Sequence, residues 1–440
     1  MTDEMMTLRA LIEKSPGAAE IGEARGYLVH RCLATASAKL RAVGSAASLV
    51  LTTDQGIAPN RTADCGPRTA AVMIPPMALP DVVVIGGGII GCAVSRELAR
   101  RGAAVRMFEA RTLGAGATQA SAGILAPFIE GHDRGPLFEL GIRSLGMYDG
   151  FVRDVCSESG LTVEYRRCGT LEVAVDAAAA ARLQEAARAD SHHLQWLDPA
   201  AAHGQEAALA TSIEGAVLAR DHGYVSVPAL MDALAWAALR HGVQIEAAHR
   251  VTGIRLDPKC ATIATEDGTS WSAGAVVIAA GSWCGRLDVD DAPASAVKPV
   301  RGQLLRLHWR GAPLNHIVWG PDCYVVPWEN QTVLVGATVE DVGFDERTTA
   351  AGVRDLLDAV CELLPEAWRA TFLEARVGLR PATPDGLPFL GASQRSERLI
   401  YATGHYRNGV LLAPLTARLI ADLIVDGRED EAIRQLRPRG

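Results

Sequence analysis

The first residues able to do chemistry are three glycines that follow a run of strand-forming residues. Asp81-Val-Val-Val-Ile leads into Gly86-Gly-Gly88-Ile89-Ile90-Gly91, and Glu109 stands eighteen residues beyond Gly91. Glycines between a strand and a helix let the backbone approach a pyrophosphate, and the helix start offers unpaired N–H groups and a positive dipole end. An acid at this distance accepts ribose hydroxyls. The pattern predicts a dinucleotide site formed by Gly86, Gly88, Gly91 and Glu109.

Two further segments bear on which dinucleotide is bound, because FAD and nicotinamide cofactors share this first unit. The small-residue loop 110–125 follows Glu109 and is able to wrap a ring system closely. The stretch 399–414 is a second apolar strand that breaks at Gly404 into a helix start. Two such junctions, about 300 residues apart, favour one long cofactor held from both ends, with the second helix start facing electron-rich flavin atoms.

Four separated signatures resemble the glycine oxidase and D-amino acid oxidase family of FAD-dependent amine oxidases, most closely the glycine oxidases of thiamine biosynthesis. They are the unit 86–109, the loop Ala120-Ser-Ala-Gly123, the segment 377–388 (VGLRPATPDGLP) and the segment 404–409 (GHYRNG). The resemblance covers about residues 79–430 and implies FAD. Some relatives attach the flavin through a cysteine or histidine, but the segment around Arg380 carries no cysteine, so noncovalent FAD is expected. By carry-over, further FAD contacts fall on Ile89, Ile90, Ala110, Ala117, Thr118, Ala122, Gly123, Ile124, Val251, Tyr406, Arg407, Asn408, Gly409, Val410, Leu411 and Leu412.

The resemblance also implies a reaction. Glycine and related small amines such as sarcosine and D-alanine would be oxidised to the imine or 2-oxo acid, with loss of ammonia (methylamine from sarcosine) and reduction of O2 to H2O2. A planar guanidinium orients a carboxylate best, through a two-point contact. The carboxylate-binding arginine of the family falls on Arg380, with Arg407 as a second cation and Tyr324 as a phenol that meets the carboxylate. In the structural alternative, Arg380 pairs only with Asp385.

The resemblance further implies that the glycine imine supplies the thiazole moiety of thiamine, with a hand-off to thiazole synthase. Other functions stay open. D-amino acid dehydrogenases and a subunit of hydrogen cyanide synthase pass electrons to a quinone or a partner, and a third alternative is a non-catalytic, FAD-containing structural subunit. No general base is needed beyond keeping the substrate amine neutral. His405, in a glycine-bounded turn, is interpreted as a packing or capping residue.

Composition restricts the partners. The chain has 43 Lys and Arg against 51 Asp and Glu, a net charge of -8, and no basic stripe, which argues against nucleic acid. Nine scattered cysteines form no metal-binding spacing and indicate reduced thiols. No apolar run reaches the ~20 residues of a membrane span, and no signal peptide is evident. We therefore expect a cytoplasmic homo-oligomer, without metal, that binds a small amino acid and O2.

The predicted elements indicate an α/β (α+β) fold, with a Rossmann-like FAD-binding domain interleaved with a smaller antiparallel-sheet substrate domain. Helices are predicted at 89–101, 134–159, 177–191 and 229–241, and a strand at 171–175. A strand-rich region follows from 297 to 339, and the 440 residues are too many for one simple core.

The predicted domain boundaries are interleaved. The FAD-binding domain takes residues 79–160, 225–293 and 372–431, and the substrate domain takes 161–224 and 294–371, followed by a tail at 432–440. Residues 1–78 lie outside the recognisable fold, and their proline-rich and glycine-rich stretch 55–76 is typical of a linker. We expect this extension to be poorly ordered or an artefact of the assigned start.

Overall fold

The computed structural model describes residues 81–130, 135–289, 296–328 and 330–438. The predictions for residues 1–78 therefore lie outside the described residues. The strands, β1 to β21, are Val82–Ile85, Val105–Glu109, Ile124–Leu125, Tyr165–Arg166, Thr170–Ala174, Leu194–Leu197, Gly215–Ala219, Gly223–Val225, Gln244–Ala247, Val251–Leu256, Ala261–Thr265, Ser270–Ala273, Ala275–Ile278, Asp288–Val289, Lys298–His308, Ile317–Trp319, Tyr324–Trp328, Thr332–Gly336, Thr371–Ala382, Phe389–Ala392 and Leu399–Thr403.

The helices, α1 to α10, are Ile89–Arg100, Pro127–Glu130, Pro136–Leu145, Tyr148–Ser159, Ala177–Ala189, Pro199–Gln205, Val227–Arg240, Ala350–Leu363, Gly409–Val425 and Glu431–Leu436. Short 3-10 helices lie at Ala117–Ala120, Gly281–Arg286 and Pro365–Arg369. No helix of the described ranges has the length and apolar character needed to cross a membrane.

The first sheet has the strand order β20-β21-β13-β1-β2-β9 and is parallel except at its edge pair, β20 and β21. β1 is apolar throughout because both of its faces are covered. Val82 and Val84 join the core formed with α1, α7 and α9. Val83 and Ile85 join the core formed with the sheet β12-β11-β10-β14. The carboxyl ends of the parallel strands lie at one edge, where open α/β sheets bind ligands.

The second large sheet has the order β19-β15-β18-β17-β16-β5-β7-β6 and is antiparallel except between β16 and β5. Its edge strand β19 pairs with β15 from Lys298↔Ala382 to His308↔Thr371. One face is closed by α8, whose Leu356 and Val360 pack with Leu305 and Val335 of the sheet. A small sheet, β3-β8-β4, completes the described strands.

The helix predicted at 134–159 is wrong as a single element. Two helices, α3 and α4, occupy the region, and the chain turns between them at Gly146 and Met147. Glycine is costly inside a helix because it loses the most conformational freedom there. The Met147 N–H donates to Ser144 O at 3.0 Å, which tightens the turn. Both helices bury apolar side chains, so the hydrophobic pattern continued across the break.

The other predicted elements are confirmed with shifts of one or two residues at their ends. Helix α7 begins at Val227 rather than Ala229, because Pro228 is well accommodated in a first helical turn, where its missing N–H costs nothing. Helix α5 ends at Ala189 rather than Ser191.

Helix α9 contains Pro414, and a side chain from α4 compensates for it. Proline has no N–H, so the Val410 carbonyl, four residues earlier, lacks its intrahelical donor. The buried Tyr148 hydroxyl donates to that carbonyl at 2.5 Å. The Ser144 hydroxyl donates to the adjacent Leu411 carbonyl at 2.6 Å. These bonds fix α3 and α4 against the start of α9.

We expect Tyr148→Phe to lower the free energy of unfolding by ~1–3 kcal/mol, because the buried Val410 carbonyl loses the Tyr148 hydroxyl as its donor. Adding Pro414→Ala restores an N–H and should recover part of the loss. Tyr165→Phe is the control, since that neighbouring hydroxyl donates to Asp149 at an exposed site. Denaturant unfolding of the three variants and the parent protein checks this, and equal losses for Tyr148→Phe and Tyr165→Phe would contradict it.

Candidate functional site

A cavity of about 610 Å³ lies against the carboxyl ends of β1, β2 and β13 and extends to the eight-stranded sheet. Most of the predicted site residues line it. They are Gly86, Gly88, Ile89, Ile90, Glu109, Ala110, Ala117, Thr118, Ala122, Gly123, Ile124, Val251, Tyr324, Arg380, Tyr406, Arg407, Asn408, Gly409 and Val410.

Three predicted contact residues lie behind the wall of the cavity. Leu411 and Leu412 are 3% and 1% exposed and belong to the helical core. A Cβ at Gly91 would lie less than 3.0 Å from the Gly86 carbonyl oxygen, so this glycine lets α1 pack on the turn before it. The sequence motif therefore combines cavity residues with residues that pack the turn and the helix.

The turn after β1 requires glycine at its first position. Gly86 has φ +110°, a conformation that residues with side chains rarely adopt, and a Cβ there would lie less than 3.0 Å from the carbonyl oxygen of Ala279, directly after β13. At the start of α1, the Ile89 N–H donates to the Thr118 hydroxyl at 3.1 Å. The N–H groups of Ile90 and Gly91, also in the first turn, have no intrahelical acceptor. This end of the cavity is therefore suited to an anionic group.

Glu109 ends β2 beside this turn. Its carboxylate accepts the Gly87 N–H at 2.7 Å through Oε2 and the Arg111 N–H at 2.7 Å through Oε1. An ionised carboxylate has about four acceptor positions, so two remain for a ligand. Glu109 is thus oriented by the backbone and still able to accept hydroxyl groups.

Arg380 lies on β19 and lines the same cavity. Its Nη1 donates to the carbonyls of Arg301 at 3.2 Å and Thr338 at 2.9 Å. Within the described ranges, no carboxylate pairs with this guanidinium, and no acceptor bonds its Nε or Nη2. The alternative pairing with Asp385 is not observed, since that carboxylate accepts the Leu387 N–H at 3.1 Å. The Nε and Nη2 edge is therefore available for a carboxylate.

Tyr324 and Arg407 approach the cavity from different elements. Tyr324 begins β17 and lies across Gly336 of β18, where a Cβ would be less than 3.0 Å from the phenol. The Trp319 ring is centred 5.3 Å from the Tyr324 ring. Arg407 lies in the turn before α9, with its guanidinium carbon 5.8 Å from the centre of the Tyr406 ring. Both residues thus line the same cavity as Arg380.

A cluster at the cavity wall was not anticipated from the sequence. Arg111 lies 4.8 Å from the centre of the Trp283 ring and pairs with Glu346 at 3.1 Å. Phe344 lies 5.8 Å from Trp283 and 3.5 Å from the Arg286 guanidinium. These contacts join residues more than 50 positions apart in the chain, so no local pattern could have revealed them.

Cys323 and His405 also line the cavity, but burial keeps both uncharged. Burial, and then the nearby Asp322, Cys361 and Glu362, raises the pKa of the Cys323 thiol to about 12. Burial lowers the pKa of His405 to about 3, and its Nε2 lies 3.0 Å from the Thr416 hydroxyl on α9.

The family of the chain follows from sequence comparison. The model of the DAO family, described as FAD dependent oxidoreductase, matches residues 81–423. The chain belongs to this family. The match includes both glycine-bounded turns and Arg380, and FAD is the family's cofactor.

Individual members show how close the similarity is. Glycine oxidase of Geobacillus kaustophilus is 35% identical over 349 residues, which are 78% of this chain and 92% of that protein. The bifunctional protein ThiO/ThiG of a Nostoc species is 36% identical over 80% of this chain, but the match spans only 53% of the Nostoc protein. The crystal structure of the Geobacillus glycine oxidase has a TM-score of 0.76 at 34% identity and covers 80% of this chain and 96% of that one. The predicted α/β fold class is thereby confirmed.

The residues present fit FAD. The cavity is of a size that suits a large cofactor with a small substrate. Its wall lacks side chains at Gly88, Gly116 and Gly281, where a Cβ would meet no atom closer than 3.4 Å, so the backbone is open to close approach. A helix start and an oriented carboxylate lie at one end, and no cluster of metal ligands occurs in the described ranges.

The buried His405 predicts a pH dependence of stability. Its folded pKa of about 3 lies below the unfolded value near 6.5, so the unfolded state binds more protons between these limits. The contribution of neutral His405 is complete above pH 6.5 and is lost as the pH falls, at up to about 1.4 kcal/mol per pH unit.

We expect His405→Gln to make the melting temperature fall less steeply between pH 6.5 and pH 5. His192→Gln, at an exposed position, is the matched control and should leave the slope as it is. Calorimetry over this pH range checks the prediction, which is wrong if His405→Gln and the parent protein have the same slope.

Proposed function

We propose that this protein is an FAD-dependent oxidase of glycine and related small amines such as sarcosine and D-alanine. The products are the imine or 2-oxo acid, ammonia (methylamine from sarcosine) and H2O2 from O2. The observation that carries the proposal is the Arg380 guanidinium, which two backbone carbonyls hold beside the cavity while its Nε and Nη2 edge has no partner among the described residues. The glycine oxidases among its relatives support the substrate class.

Bound FAD would supply a two-electron acceptor for the α C–H bond of the substrate and return the electrons to oxygen. The chain's own residues bind and orient. The carboxylate of the substrate forms a bidentate contact with Arg380, which leaves the α-carbon directed along the cavity. Arg407 adds positive charge and Tyr324 a phenol at the same end. Arg380 and Arg407 favour the binding of an anion in the cavity. This argues against the alternative function as a non-catalytic, FAD-containing structural subunit.

We assign cofactor binding to the cavity-lining residues. The first turn of α1, with Gly86, Gly88 and Ile89, is proposed to hold the pyrophosphate, and Glu109 the ribose. We propose that the remaining parts of FAD are surrounded by the loop 117–124, Val251 and the turn 406–410. Attachment is proposed to be noncovalent, because a thiol with a pKa of about 12, as in Cys323, holds very little thiolate at neutral pH.

We also propose that an FAD-binding domain and a substrate domain are interleaved in the chain, with one boundary changed from the sequence prediction. The parallel sheet draws its strands from residues 79–160, 225–293 and 372–431, and the eight-stranded sheet from 161–224 and 294–371. Strand β19, Thr371–Ala382, pairs along β15 and so belongs with the second sheet. The boundary at 372 therefore moves to the end of β19.

Transfer of the imine to thiazole synthase is also proposed. A bifunctional relative, in which about half of the protein matches this chain, is compatible with a partner that acts close to the oxidase. The cytoplasmic location and the homo-oligomer predicted from the sequence stay predictions.

The first experiment mixes the FAD-bound protein with glycine, sarcosine or D-alanine without oxygen and follows flavin absorbance near ~450 nm. We expect bleaching, followed by one peroxide per turnover when air is admitted. Bleaching without peroxide would favour a dehydrogenase that serves a quinone or a partner subunit. A flavin that no amine bleaches would contradict the proposal.

Arg380→Ala should raise the KM for glycine by one to several powers of ten, since each charge-assisted hydrogen bond contributes ~1.5–3 kcal/mol. Arg380→Lys should recover only part of the loss, because an ammonium cannot form the bidentate contact. Arg376→Ala is the matched control, as Arg376 lies on the same strand, pairs with Glu374 and is outside the cavity. Steady-state kinetics checks this, and an unchanged KM in Arg380→Ala would oppose the assignment.

A further inference from the structure

Gly302 on β15 lies directly beneath the Arg380 guanidinium. A Cβ at this position would be less than 3.0 Å from Nη1, Cζ and Nη2 of Arg380. The backbone of Gly302 is ordinary, with no positive φ, so the conformation itself does not demand glycine. The space that a side chain would fill is occupied by the guanidinium, and this contact is what requires glycine.

The strand register explains this contact. Arg380 is paired with Val300, whereas Gly302 is paired with Gly378, so the Arg380 side chain crosses diagonally onto β15. Opposite residues of an antiparallel pair share a face of the sheet, and both members of the second pair lack side chains. The guanidinium is thus able to lie low over β15 and reach two backbone carbonyls.

Those two carbonyls are fixed from the other face of β15. Arg301 and Glu340 exchange backbone hydrogen bonds of 2.9 and 3.0 Å, and the Thr338 N–H donates to Gln303 O at 3.2 Å. The Glu340 carboxylate accepts from Gln303 Nε2 at 2.7 Å and from the Thr338 hydroxyl at 2.6 Å, and it pairs with Arg301. Burial alone would raise the pKa of Glu340, but these hydrogen bonds bring it below its usual value.

We propose that Gly302 is a positioning residue for the substrate carboxylate, and that it acts through Arg380. Because Gly302 has no side chain, the Arg380 guanidinium is able to lie close to β15. In this position Nη1 reaches the Arg301 and Thr338 carbonyls, and Nε and Nη2 face the cavity. This inference rests on the proposed role of Arg380. A methyl group at 302 lifts the guanidinium from its two acceptors and turns the bidentate edge away from the substrate.

The test is a double-mutant cycle in the FAD-bound enzyme, with acetate as a carboxylate probe that is detected by its perturbation of the flavin spectrum. We expect Gly302→Ala to weaken acetate binding at least tenfold and to raise the KM for glycine more than it lowers kcat. In the Arg380→Ala background, Gly302→Ala should have no further effect on acetate, because the group it displaces is gone. Gly204→Ala, at an exposed glycine with no atom within 4 Å of the added Cβ, is the control.

The outcomes are distinguishable. Weaker acetate binding in Arg380→Ala with unchanged binding in Gly302→Ala overturns the positioning role and leaves the proposed function standing. If the losses of acetate binding in Gly302→Ala and Arg380→Ala are fully additive, the positioning role is also overturned, since Gly302 would then act independently of Arg380. Unchanged binding in Arg380→Ala overturns both. If Gly302→Ala alone does not retain FAD, recovery of FAD-bound protein by added Arg380→Ala supports the clash, and continued failure refutes it.

Discussion

The pairing of β15 with β19 is the interaction on which the site depends. The long ladder carries Arg380 from the edge of one sheet to the cavity formed by the other. Along β19, Gly378 packs on the 3-10 helix 117–120, and the Leu379 carbonyl accepts the Ser282 hydroxyl at 2.9 Å. The cofactor wall and the cation of the proposed substrate site are therefore parts of one hydrogen-bonded framework. A shift of register by one residue would reverse the face to which Arg380 points.

A buried polar cluster maintains this register from the far side. Arg301 is only 3% exposed, and its partners Glu340 and Asp345 lie on the segment that follows β18. Such ion pairs seldom add much net stability, because desolvation offsets the attraction. Here the hydrogen bonds also involve Gln303 and Thr338, and they define one position for the chain. The cluster thus contributes geometric specificity at the point where the Thr338 carbonyl holds Arg380.

The parts of the site that depend on local sequence were predictable. The turn at Gly86 and the acid Glu109 belong to a single strand-turn-helix-strand unit, and Arg380 came from the resemblance of its segment. Gly302 could not be identified, because its contact depends on the register of strands separated by about 70 residues. The ion pair between Arg111 and Glu346 could not be predicted for the same reason, because it also depends on long-range packing. Leu411 and Leu412 do not line the cavity, because the motif continues into helix α9, where both side chains lie in the core, so their contact with FAD stays a prediction.

The position of Cys323 has a consequence for durability. A catalyst that releases peroxide inside its own cavity exposes the lining to oxidation at every cycle. The sulfur species that peroxide attacks is the thiolate, and a pKa of about 12 keeps the Cys323 thiol almost entirely protonated at pH 7. Cys323 is only 5% exposed and packs against apolar neighbours of the eight-stranded sheet. This burial therefore allows a cysteine to line the proposed active site and still resist oxidation by hydrogen peroxide.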